Sequence, residues 1–184
     1  EEELKSLSVK YKDPSSVSEI FMKLGSIYES MGKFQEAASA YTTIVKSMQE
    51  AWHDDVAVKR IMYLISTKSV KISDSASRIA IAGSLFDAKE YAAAETFLSG
   101  LVKPGGVSEA DLLNLKIQTR KKYPESVKIL KQYDKKPDYE KFALAHAGEL
   151  WEAGNKYAAV QVYAKISGTA DREIASRVLT RLSF

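Results

Sequence analysis

The sequence contains no cysteine in its 184 residues. That removes disulfides, thiolate metal sites and cysteine nucleophiles at one stroke. A cysteine-free chain suits cytoplasm and periplasm alike, so composition leaves the compartment open. Only two histidines occur, His53 and His146, far apart and without metal-ligand spacing. There is no phosphate-binding glycine loop, nucleophile elbow or HExxH pattern. These absences point away from catalysis, and no metal or cofactor is expected. No apolar run approaches the roughly 18 residues of a membrane span. Charge of either sign is scarce in excess: 27 basic against 24 acidic side chains give a net +3, too balanced to argue for nucleic acid on global charge. The chain opens on Glu1-Glu2-Glu3, without the basic and apolar blocks of a leader, and reads as part of a longer or processed polypeptide.

Proline and glycine are also rare, four and nine residues, and they fall where helices should begin or end. Pro14, Pro124 and Pro137 precede or open helical patterns, where a missing N–H costs nothing. Pro104-Gly105-Gly106 is the strongest break, with Ser108 after it as an N-cap. Between the breaks apolar residues recur at three and four, as a buried helix face requires, and strand signals are nearly absent. With 45% hydrophobic and 28% charged residues, the chain has ordinary globular composition. A chain of this length buries about 70% of its unfolded surface. The fold class expected is all-α.

One spacing recurs. Phe21, Leu24, Gly25 and Tyr28 are followed by Gly32-Lys33-Phe34, Ala37 and Tyr41. Small Gly25 and Ala37 would lie where two antiparallel helices approach, with Phe21, Leu24, Tyr28, Phe34 and Tyr41 filling the seam. Gly32 would make the turn. A second copy runs Ile81-Ala82, Leu85, Tyr91, Ala94 and Leu98. A third runs Leu113-Asn114, Ile117, Tyr123, Ser126 and Leu130. The fourth is placed on Leu144, Ala147-Gly148, Trp151, Tyr157, Val160 and Ala164. This pattern resembles the tetratricopeptide repeat. The resemblance implies an α-α superhelix of antiparallel helix pairs over about 18–51, 75–106, 107–139 and 141–168. An irregular helix at 53–70 interrupts the spacing and carries Val56, Val58, Ile61, Met62, Leu64 and Ile65 without a recognisable mate. A capping helix at 170–182 would close a single array spanning 1–184.

The resemblance implies a non-catalytic scaffold that holds a protein or peptide on its concave face. The side chains of first helices that point away from the seam would line it. These are Met22, Ser26 and Glu29; Ile79, Gly83, Phe86 and Asp87; Asp111, Leu115 and Gln118; and Phe142, His146, Glu149 and Glu152. Ile79, Phe86, Leu115 and Phe142 would form apolar patches flanked by acids, suited to a segment with apolar anchors. In tetratricopeptide co-chaperones a lysine, asparagine and arginine clamp holds a terminal carboxylate. Here those places carry Met22, Ser26, Ala80, Ser108 and Leu112, so a chaperone-tail receptor is not expected.

Other features read as structure. His53-Asp54-Asp55 reads as a helix N-terminus rather than a metal fragment. Trp151 and Trp52 read as packing. Residues 116–141 hold nine basic and four acidic side chains, and an acidic partner or RNA could bind there. Arg120, Lys121 and Lys122 instead fit the end of a helix, where cations offset the dipole. Nucleic acid is therefore the alternative and not the expectation. Exposed terminal helices of such an array could also self-associate into a homo-oligomer.

Overall fold

A computed structural model describes residues 13–47, 54–121, 123–134, 136–166 and position 180. The described residues form nine α-helices and no strand. None of these helices is long and apolar enough to cross a membrane. Trp52, His53, Lys122, Lys135 and all but position 180 of the expected capping helix lie outside the described residues. The chain divides into two compact units, residues 1–97 and 98–184.

Unit 1 holds α1 (Pro14–Ser30), α2 (Phe34–Ser47), α3 (Asp54–Lys68), α4 (Ser75–Asp87) and all but the last residue of α5 (Tyr91–Leu98). Asp13 starts α1 by accepting from the Ser16 N–H at 2.8 Å, with Pro14 in the first turn where its missing N–H is harmless. Asp74 caps α4 the same way, 2.8 Å from the Ser77 N–H. Hydrogen bonds from the Ser77 hydroxyl and N–H hold the Asp74 carboxyl down at about 2. Helix α2 packs on α1, α3 and α4, and α3 also packs on α4. Along α1 and α2 the expected seam forms in part, with Phe21 and Phe34 only half-buried. Leu24, Tyr28, Ala37 and Tyr41 are buried, and a Cβ on Gly25 would overlap the Tyr41 ring. The lone helix expected at 53–70 is α3, which packs against both α2 and α4.

Unit 2 holds α6 (Glu109–Lys121), α7 (Tyr123–Lys131), α8 (Tyr139–Glu152) and α9 (Lys156–Ile166). Helices α6, α7 and α8 pack on one another, and α9 packs on α8. Its core gathers Leu115, Leu130, Tyr133, Phe142, Leu150 and Tyr163, with the Tyr133 and Phe142 rings stacked at 4.0 Å. Ser108 and Asp111 form a capping box at the start of α6. The Asp111 N–H donates to Ser108 Oγ at 3.3 Å, and the Ser108 N–H donates back to Asp111 Oδ2 at 2.9 Å. The Pro104-Gly105-Gly106 break is a fixed loop. Asp111 Oδ1 accepts from the Lys103 N–H at 2.7 Å, Gln132 Oε1 from the Gly105 N–H at 2.9 Å, and the Gly106 carbonyl from the Tyr133 hydroxyl.

Three turns share one geometry. The N–H of Lys33 donates to the Tyr28 carbonyl at 2.9 Å, that of Glu90 to Leu85 at 2.8 Å, and that of Asn155 to Leu150 at 2.9 Å. Each such turn needs one residue with positive φ, supplied by Gly32 (73°), Lys89 (64°) and Gly154 (81°). These turns align the hairpins residue by residue. Leu24, Ile81 and His146 correspond, as do Gly25, Ala82 and Ala147, and Tyr28, Leu85 and Leu150. After the turn, Ala37, Ala94 and Ala159 correspond, all 0% exposed. Tyr41, Leu98 and Tyr163 follow.

This alignment corrects the fourth copy by one residue. Its seam runs through Ala147, Leu150, Ala159 and Tyr163, which are buried, rather than through Gly148, Trp151, Val160 and Ala164. Tyr157, expected to match Phe34 and Tyr91, is 79% exposed, and Lys156 occupies the matching position. Trp151 is only partly buried against the core.

Candidate protein-docking surface

The side chains expected to meet a guest fall into three groups. Met22, Glu29, Ile79, Gly83, Phe86, Gln118 and Glu149 are half-buried, and Ser26, Asp87 and Glu152 are exposed. Leu115, Phe142 and His146 are wholly buried and Asp111 nearly so, so these four do not present a surface. The physical reasons are specific. His146 stands at the Leu24 position of the hairpin and belongs to the core. Phe142 stacks on Tyr133, Leu115 packs within the same cluster, and Asp111 is the capping carboxylate.

Two acids of the expected surface are already held. Glu29 accepts from Arg60 Nε at 2.9 Å and from its Nη2, and from the Tyr41 hydroxyl at 2.7 Å. Burial, then the Glu29 carboxylate, pushes the Tyr41 hydroxyl up to about 12. Glu149 accepts from Arg120 Nε at 2.7 Å. That bond, Lys128 against Glu125 at 3.0 Å and Lys136 Nζ against the Gly105 carbonyl at 3.0 Å engage three cations of the basic 116–141 stretch.

Inside unit 2, His146 Nδ1 lies 2.9 Å from Thr119 Oγ1. The Thr119 hydroxyl gives its proton to the Leu115 carbonyl at 2.7 Å, so Nδ1 must carry the hydrogen of this bond. Burial lowers the ring to about 4. It is a neutral core histidine.

The open apolar surface lies elsewhere, on unit 1. Helix α3 carries two apolar strips. One, through Ala57, Ile61 and Leu64, is wholly buried. The other, Val58, Met62 and Ile65 at helical spacing, opens onto a groove. Two hollows form this groove and share Met62 and Ala93. One, of about 520 Å³, is lined by Asp55, Val58, Lys59, Ser84, Leu85, Ala88 and Glu90. The other, of about 510 Å³, is lined by Ile65, Val70, Lys71, Ile72, Ser73, Arg78, Thr96 and Phe97.

Both walls run in the same direction. Asp55 of α3 and Glu90, just before α5, line the first hollow; Ile65 of α3 and Phe97 of α5 line the second. The first end is acidic. Beside it Asp54 accepts from Ser84 Oγ at 2.7 Å, and its carboxyl is raised chiefly by burial and further by Asp55 and Asp87. The second end carries Lys71 and Arg78, whose Nε donates to the Phe97 carbonyl at 2.9 Å.

A smaller hollow of about 210 Å³ between α2 and the 71–77 segment is polar. Its groups serve the fold: Thr42 Oγ1 donates to the Ala38 carbonyl at 2.7 Å, Gln35 bonds the backbone of Lys71, and Lys46 reaches Asp74 at 3.4 Å. Among the described residues no three histidine, aspartate or glutamate side chains gather as metal ligands.

None of the expected surface residues lines the α3–α5 groove. The apolar positions of residues 53–70 cover more of the helix than one neighbour requires, which marks a second apolar strip but not that the chain leaves it uncovered. No family model, no curated protein and no solved structure matches the chain.

Proposed function

We infer that the chain is a non-catalytic, tetratricopeptide-like scaffold of stacked helix pairs that binds a protein segment, as one part of a larger protein or complex. One observation carries this reading. A ready-formed apolar groove, walled by Val58, Met62, Ile65, Ala93 and Phe97, lies open on unit 1. An open strip of this kind on a helical protein is the usual form of a helix- or peptide-binding groove. The shared turn and the buried alanines Ala37, Ala94 and Ala159 support the repeat assignment.

Affinity capture from the native source tests the scaffold reading, comparing the wild type with Met62→Glu and with Lys165→Glu on the exposed side of α9. A folded Met62→Glu protein that loses a partner retained by Lys165→Glu supports it. A captured set unchanged by Met62→Glu contradicts it.

A further inference from the structure

We propose that the groove between α3 and α5 takes one amphipathic helix, running antiparallel to both, with an acidic first turn and a basic last turn. This rests on the scaffold reading and adds the form, direction and charge order of the guest.

The walls are α3 and α5, with Arg78, Ser84 and Leu85 of α4 between them, and the α3 wall presents Val58, Met62 and Ile65 at helical spacing. Side chains spaced at three and four on a guest helix would enter between these positions, as ridges enter grooves. The 15-residue α3 is about 22 Å long at 1.5 Å per residue. A guest of three or four turns spans that wall.

Direction follows from charge. Both walls start at the acidic end and finish at the basic end, so their dipoles point the same way. Helix α4 lines the same hollows through Arg78 at the basic end and Ser84 and Leu85 at the acidic end, and so runs the opposite way. Its dipole offsets theirs, and the side-chain charges set the direction of the guest. The first turn of an antiparallel guest meets Lys71 and Arg78, and its last turn meets Asp55 and Glu90. Helices ordinarily carry acids in the first turn and bases in the last, because this arrangement suits their own dipole. The groove therefore complements an ordinary helix in one direction and repels it in the other. Lys59 at the acidic end sits one turn from Asp55 and reduces the contrast without reversing it.

The test uses the full chain and two synthetic 14-residue helical peptides. They share one leucine stripe at three-and-four spacing. One has an acidic first turn and a basic last turn; the other has these charges exchanged. The expected result is binding of the first at least about tenfold tighter than the second at low salt, with the gap narrowing in high salt. Lys71→Glu, an exposed side chain, is expected to weaken the first peptide and strengthen the second. Equal binding of both peptides, abolished by Met62→Glu, would overturn the charge order while leaving the scaffold reading intact. Binding of neither, with partner capture still dependent on Met62, would overturn the helical guest alone. A concentration-dependent dimer lost in Met62→Glu would show a second copy as the occupant and overturn the proposal. If neither peptide binds and capture is indifferent to Met62, both readings fail.

Discussion

Gly25 of α1 faces the ring of Tyr41 of α2 so closely that a single added carbon would overlap it. Tyr41 is 1% exposed and its hydroxyl is tied to Glu29, so the ring cannot swing away without breaking that bond. Gly25→Ala is therefore expected to destabilise the protein by about 1–3 kcal/mol, the usual cost of overpacking a core. Gly83 of α4 has open space at its Cβ. Gly83→Ala should stabilise by about 0.5–1 kcal/mol, because alanine loses less backbone entropy in a helix. Denaturant melts of both variants check the pair; equal effects would contradict the seam.

His146 gives unit 2 a pH dependence. Burial lowers its folded pKa to about 4, against about 6.5 unfolded. Between those values the unfolded chain takes a proton that the folded chain refuses. Stability is thus fully present above pH 6.5 and declines as the pH falls toward 4, by no more than about 3 kcal/mol. His146→Leu places at this position the residue type found at Leu24. It should flatten that part of the stability profile. Urea melts from pH 7.5 to 4 measure it, and an unchanged slope in the variant would assign the dependence to other groups.

Lys89 holds a φ of 64° in the α4–α5 turn, where the other two hairpins use glycine. A side chain in that region costs about 1 kcal/mol. Lys89→Gly is expected to stabilise unit 1 by up to that amount, read as a rise in denaturation midpoint with an unchanged slope.

How far the sequence revealed the structure depended on whether each landmark residue did its usual job. The first hairpin was legible in its helices, turn and close contact, because Gly32, Gly25 and Ala37 each stand where the geometry demands a small residue, although Phe21 and Phe34 are only half-buried. In the second, Ile81, Ala82, Leu85, Ala94 and Leu98 are buried in the register that the spacing implied, although a lysine, Lys89, takes the positive φ of the turn. The fourth misled through Tyr157, an exposed aromatic one place beyond the matching Lys156. Alignment on that ring shifts every position by one and puts Phe142 and His146, which are buried, on the surface. The spacing of Gly154, Ala159 and Tyr163 repeats that of Gly32, Ala37 and Tyr41 and would have set the register correctly. The α3–α5 groove was illegible for a different reason. Amphipathic spacing shows that a helix buries a face, but not which of two apolar strips its own chain leaves uncovered.

The most direct test of the account is hydrogen exchange on the complex with a captured partner. Exchange is expected to slow across 54–68 and 91–97, the two walls of the groove, relative to the free chain. A stable complex in which both segments exchange as they do in the free protein would contradict it.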